Sequence, residues 1–160
     1  MRSIDRLLQQ MLSQGVYVVG VGEGSEANAF TAAWVMQVSF APVLLAISIN
    51  PEHRSYRLLK KDGVCSVNVL SQQQMSLAEH FGQSGLEDKM AQGTWAAAVT
   101  GTPVLQESLA YFDCKVSHEV AAGDHQLVIC EVIEARQLNA GRPMLYSATG
   151  TMDNSAELYE

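Results

Sequence analysis

Six apolar runs rich in β-branched residues follow one another along the chain: Val16 to Val21, Ala29 to Phe40, Val43 to Ile49, Val64 to Leu70, Tyr111 to Val120 and Gln126 to Leu138. Such runs fit the pleated, half-buried surface of a sheet. Several are joined by connections too short for the dozen or more residues that a parallel crossover needs. The chain is therefore expected to be mainly β with short helices, its strands antiparallel in a barrel or sandwich. Gly123-Asp124 supplies a hairpin turn between the last two runs.

Helical spacing is confined to short stretches. Ile4, Leu7, Leu8, Met11 and Leu12 recur at i, i+3, i+4 and i+7, which predicts an N-terminal amphipathic helix over residues 1–14, ended by Gly15. Two more are expected: Ser55 to Lys61, closed by Asp62-Gly63, and Ser71 to Phe81, opened by the capping-box pattern Ser71-x-x-Gln74. Residues 82–110 show weak periodicity around Trp95, Val99, Val104 and Leu105 and read as an irregular arm whose apolar contacts come from a second chain. The polar stretch 151–160 reads as a loosely held tail. At 160 residues the whole fits a single domain, 1–160, without repeats or linkers.

Charge and apolar content exclude several classes of function. Seventeen acids against ten Lys plus Arg leave a formal charge of -7, the wrong sign for a nucleic-acid surface. The most apolar stretch, Ala41 to Ile49, is far shorter than the roughly 20 residues of a spanning helix, and the first residues lack the apolar core of a secretion signal. Neither membrane insertion nor export is expected. Cys65, Cys114 and Cys130 form no C-x-x-C pair and sit among strand-forming neighbours, which fits reduced core residues of a cytoplasmic protein. His53, His80, His118 and His125 have no metal-ligand spacing, and no metal is expected.

Against this acidic background, Arg54, Arg57, Lys60 and Lys61 crowd into a short stretch. The cluster begins where the strand ending in Ser48-Ile49-Asn50 gives way to a helix, with His53 and the Ser55 hydroxyl beside the helix N-terminus. Free N–H groups, the helix dipole, a hydroxyl and a guanidinium would there converge on an anion such as phosphate. The alternative is a solvated basic face. A second feature is Asn28-Ala29-Phe30-Thr31-Ala32-Ala33-Trp34, whose small and hydroxyl residues leave backbone groups open to a flat polar ligand. Trp34 either packs in the core or covers an aromatic ring. Gly20-Val21-Gly22-Glu23-Gly24 lacks the third glycine of a dinucleotide fingerprint and reads as a loop. His125, after Asp124, is either a surface histidine or a proton switch.

These residues resemble the flavin reductase-like family of FMN-binding split-barrel proteins, which includes short-chain NAD(P)H:flavin oxidoreductases, flavoredoxin and the C-terminal module of diflavin flavodiiron proteins. The resemblance runs from about Val16 to Tyr146. It is carried by Asn28-Ala29-x-Thr31-Ala32-x-Trp34-x-x-Gln37-Val38-Ser39-Phe40-x-Pro42, by Ser48-Ile49-Asn50 with Arg54-Ser55, and by Gly63-x-x-Ser66-Val67-Asn68-Val69-Leu70. His80-Phe81-Gly82, Gly101-x-Pro103-x-Leu105 and Gly123-Asp124-His125 complete the ordered series. Ala33 stands where the family often has Ser or Thr, Cys65 where it often has Phe, and Val43 where a second proline is common.

The resemblance implies an antiparallel split β-barrel and a flavin, FMN or alternatively FAD. The ring would lie along Asn28, Ala29, Thr31, Ala32, Ala33 and Trp34, with Ser48, Ile49, Asn50 and Phe81 lining it and His53, Arg54 and Ser55 near the phosphate. It implies NAD(P)H as cosubstrate, with hydride passing to flavin N5 and His125 approaching the ring or the nicotinamide. A homodimer is implied, together with a flavin-dependent monooxygenase or redox protein as partner. A flavoredoxin-like electron carrier and a non-catalytic flavin-binding barrel remain as alternatives, since fold alone does not assign function.

Overall fold

A computed structural model describes residues 3–150, so the 151–160 tail lies outside the described residues. Helix α1 (Ser3–Met11) leads into strands β1 (Tyr17–Val21), β2 (Asn28–Ala32), β3 (Val35–Phe40) and β4 (Val43–Ile49). After α2 (Arg54–Asp62), β5 (Val64–Val69) and α3 (Met75–Phe81) come β6 (Trp95–Ala97), β7 (Pro103–Leu105), β8 (Ala110–Ala122) and β9 (His125–Gln137). Seven strands form one antiparallel sheet in the order β2-β1-β5-β8-β9-β4-β3, and β6 and β7 form a separate hairpin.

This order makes the sheet a split barrel. β2 and β3 sit at opposite ends of the strand order, yet only Ala33 and Trp34 separate them in the chain. The three Cα steps from Ala32 to Val35 span roughly 10–11 Å at most, so the edges of the sheet must come together without pairing to each other. The expectation of one strand from Ala29 to Phe40 is thereby corrected: Ala32 pairs with Tyr17, whereas Val35 pairs with Ile47 on the other edge.

Inside the barrel lie Val19, Val21, Ile47, Val67 and Val128, sealed by Tyr56 and Leu59 of α2. Cys65, Cys114 and Cys130 belong to this core as free thiols, with Cys65 Sγ 4.0 Å from Cys130 Sγ. Contact with the Cys114 and Cys130 thiols, reinforced by burial, pushes the Cys65 thiol well above its ordinary pKa. A second core outside the barrel joins Val16, Val18, Leu70, Phe81 and Leu105, so the first strand is buried on both faces. Gly20 is required there, because a Cβ would collide with the Pro103 carbonyl.

Several expectations change in three dimensions. α2 forms within a residue of the expected bounds, ended by Gly63 at φ 68 with its N–H on the Leu59 carbonyl. α3 begins at Met75 rather than Ser71: Gln74 accepts the Ser71 N–H, as in a capping box, but both residues lie in a turn ahead of the helix. The 82–110 segment is not without structure. Val104 and Leu105 of its hairpin are buried against their own chain, the Leu105 N–H donating to Asn68 Oδ1 at 3.0 Å, and Trp95 packs edge-on to Phe81. Of the four apolar residues expected to meet a second chain, Val99 is the one left exposed. Conversely, α1 leaves Ile4, Leu7, Leu8, Met11 and Leu12 exposed, while buried Gln9 donates to the Gly150 carbonyl.

Candidate functional site

Where the barrel edges meet, a cavity of about 700 Å³ opens between the start of β2, the Ala33-Trp34 crossing, the end of β4, the first turn of α2, and the loop after α3. Thirteen of the fourteen residues implied as site residues line it. Ala29 does not: it is fully buried in the outer core, on the far side of β2.

One end is suited to an anion. β4 ends at Asn50, whose Oδ1 accepts the Glu52 N–H at 3.0 Å while its carbonyl accepts the His53 N–H, turning the chain into α2. No side chain caps that helix at His53, and while the Tyr56 N–H donates to the His53 carbonyl at 3.1 Å, the Arg54 and Ser55 N–H groups keep their capacity for a ligand. Ser55 is almost fully buried and its Oγ accepts from Asn28 Nδ2 at 2.9 Å, which ties β2 to the helix start. Arg54 projects beside them at the exposed rim. The other cations of the cluster serve the surface: Lys61 pairs with Glu26 at 2.9 Å and Lys60 with Glu119 at 3.7 Å.

The other end is aromatic. Trp34 is 40% exposed, which decides against a core role, and its ring lies 5.1 Å from that of His125. His125 Nδ1 meets Asp124 Oδ1 at 2.7 Å; with Nδ1 facing the carboxylate, Nε2 is left as the free ring nitrogen. That hydrogen bond, with the charge behind it, holds the Asp124 carboxyl below its ordinary range. Ile49 and Phe81 form apolar wall, and Ser48 donates its N–H to the Trp34 carbonyl, fixing the crossing. Thr31 is committed elsewhere: its hydroxyl donates to the Ala78 carbonyl at 2.7 Å, leaving only lone pairs for a ligand. Partial burial, then the charges of Lys89 and His125, push His53 below the usual imidazole range.

Sequence reasoning missed two walls. Asp5, Leu8, Gln9 and Leu12, which share one face of α1, line the cavity, as do Gln83 to Leu86 and Lys89 beyond α3. The spacing 5, 8, 9, 12 was a legible signal, and Lys89 is the lone cation between Lys61 and Lys115. Among the described residues no group of His, Cys, Asp or Glu has the arrangement of a metal site. Among the described residues the cavity offers an anion-suited polar end and an aromatic end, with no paired nucleophile and base.

The chain is 36% identical over 126 residues to the FMN reductase (NADH) RutF of Pseudomonas syringae pv. syringae, covering 78% of this chain and 70% of that protein. Its fold matches the NADH:FAD oxidoreductase SgcE6 of Streptomyces globisporus, solved with NAD and FAD fragments, at 28% identity and a TM-score of 0.84, over 91% of this chain and 87% of that one. It also matches BorF, the flavin reductase component of a bacterial two-component tryptophan halogenase, at 25% identity and a TM-score of 0.82, over 92% and 94% of the two chains. The family model for the flavin reductase like domain covers residues 9–154, and the chain belongs to that family.

Proposed function

We propose that this chain is an NADH-dependent flavin reductase acting on FMN. One observation carries the reading: residues scattered from Asn28 to His125 converge on a single cavity with an anion-suited end and an aromatic end. The donor set fits FMN, because the Arg54 guanidinium, the Ser55 hydroxyl and the uncapped α2 terminus match a phosphate, and exposed Trp34 matches a flat ring. FMN held there by Arg54, Ser55 and Trp34 would supply a two-electron acceptor for the hydride of a nicotinamide nucleotide. The protein's part is to hold the two rings in contact and exclude water from between them. Asp124 keeps His125 in one tautomer and orientation, so that Nε2 is presented at the mouth beside Trp34.

We also read the protein as a cytoplasmic homodimer that supplies reduced flavin to an oxygenase or other redox protein. The exposed apolar face of α1 and the edge residues Met36 and Phe40 favour a second copy, and three buried free thiols favour a reducing compartment. BorF, a reductase component by name, supports the kind of partner.

The test is anaerobic stopped-flow mixing of protein, FMN and NADH. Rapid catalytic bleaching of flavin absorbance is expected. A tightly yellow protein that only another redox protein bleaches would replace the reductase with an electron carrier, and a protein that binds no flavin would remove both. In the same experiment His125→Ala is expected to slow hydride transfer by about ten- to a hundredfold, roughly 1.4–2.7 kcal/mol of barrier, with FMN affinity almost unchanged. If His125 only braces the hairpin turn through Asp124, the variant will melt earlier and reduce flavin at the wild-type rate.

A further inference from the structure

An amphipathic helix ordinarily buries its apolar stripe against its own core, and α1 does the reverse. Its inward anchors are polar. Gln9 is buried and donates to the Gly150 carbonyl at 2.7 Å, while the Gln14 carbonyl beyond the helix accepts the Tyr146 N–H at 2.8 Å. These bonds hold α1 against the turn at Tyr146–Ala148 and so fix which way each of its side chains faces. Leu12, whose N–H donates to the Leu8 carbonyl at 3.0 Å, prolongs the helical path by one residue and stands one turn from Leu8. Both leucines line the cavity, yet they are 49% and 52% exposed, whereas Ile49 and Phe81 on its other walls are buried.

The helix therefore carries two apolar stripes with different surroundings. Ile4, Leu7 and Met11 point outward and do not line the cavity, which leaves them for the second copy invoked above. Leu8 and Leu12 point into the cavity, where Asp5, a turn earlier on the same wall, ends the apolar strip. A pair of half-exposed leucines set on a ligand cavity calls for an apolar surface of the ligand itself. A flavin has one such part. Its phosphate suits Arg54, Ser55 and the α2 terminus, and its pyrimidine ring, dense in N–H and C=O groups, suits the backbone of the small-residue crossing at Ala32 and Ala33. Only the dimethylbenzene end has no polar atom to satisfy.

We propose that Leu8 and Leu12 form the apolar seat of the dimethylbenzene end of the flavin ring. The proposal rests on the flavin reading above and gives the N-terminal helix a part in binding. Covering the exposed half of each leucine removes apolar surface from water on both ligand and protein, a contribution to affinity that is blind to the phosphate. It also explains why the helix is pinned by Gln9 and Gln14 rather than by its leucines: a wall that packs on a ligand keeps its apolar atoms for that ligand.

FMN, riboflavin and a riboflavin analogue lacking both ring methyl groups are titrated into wild type, the double variant Leu8→Ala/Leu12→Ala and the control Ile4→Ala/Met11→Ala. Alanine keeps the helix propensity at all four positions. The first variant is expected to weaken FMN and riboflavin alike, on the order of tenfold, and the demethylated analogue much less, while the control binds all three as wild type does. Alkylation supplies a readout independent of activity, because Cys65, Cys114 and Cys130 are fully buried and leave a silent background. Riboflavin should slow the alkylation of Leu12→Cys and leave that of Met11→Cys unchanged. No loss in the first variant, or no protection at position 12, would overturn the proposal. So would a loss confined to FMN, which places α1 at the phosphate, or an equal loss for the demethylated analogue, which places it away from the methyl groups. Equal losses in both double variants, with dissociation on dilution, would overturn it by assigning both stripes to a second copy. Wild-type protein that binds neither flavin would end the flavin reading itself.

Discussion

Phe81→Ala is expected to lower the unfolding free energy by about 3–5 kcal/mol, the range for deleting a buried aromatic ring and leaving a partly collapsed cavity. Phe81 closes α3, is fully buried, and stands edge-on to His80 at 4.7 Å and to Trp95 at 5.5 Å. It therefore locks three pieces of chain together: the helix, the loop that carries Lys89, and the β6-β7 hairpin. For a domain whose whole stability is of order 5–15 kcal/mol, this is a large fraction. Urea titration should show a lower midpoint at an unchanged slope, meaning lost stability without a change in the surface exposed on unfolding. Phe81→Leu, which refills much of the volume, should recover part of the loss. A midpoint within error of wild type would show that the outer core does not depend on this ring. Because the same ring walls the cavity, the variant should also bind flavin less well when folded, so affinity must be measured well below its melting temperature.

Arg54→Glu is expected to weaken FMN by about ten- to more than a hundredfold while changing riboflavin little. The lost charge-assisted hydrogen bond corresponds to roughly 1.5–3 kcal/mol, and the introduced carboxylate adds repulsion. Riboflavin shares the ring and ribityl chain with FMN and lacks only the phosphate, so the difference between the two flavins locates the anion rather than the fold. Arg54 suits the test because it is exposed at the head of α2 and no core contact depends on it. The loss should shrink at high salt, as screening weakens both attraction and repulsion. Equal losses for both flavins would place the phosphate elsewhere in the cavity. Loss of both together with early melting would instead mark Arg54 as structural.

Much of the architecture was legible because its causes are local. β-branched alternation marks the strands, Gly63 can take the left-handed conformation that ends α2, and Gly123-Asp124 suits the turn between β8 and β9. The anion-suited end was legible for the same reason: Ser48, Asn50, His53, Arg54 and Ser55 are neighbours in the chain, and a strand-to-helix turn brings them to one place. Trp34 was misjudged at that level, since a lone tryptophan before a strand packs in a core more often than it covers a ligand, whereas here it is 40% exposed.

Local chemistry thus determined which long runs form strands, where α2 starts and stops, and which short segments gather the charge and hydroxyls of the anion-suited end. Tertiary structure alone decided what depends on distant contacts. The division at Ala33-Trp34 exists because β2 pairs with β1 while β3 pairs with β4, and no property of residues 29–40 encodes that choice of partners. The β6-β7 hairpin has only three residues per strand, too few for a visible period, and Asn68 anchors it from 37 residues away. Ala29 left the site and Lys89 entered it for the same physical reason. A residue's neighbour in sequence is set by covalent bonds, but the face it presents is set by whichever distant surface buries the other side.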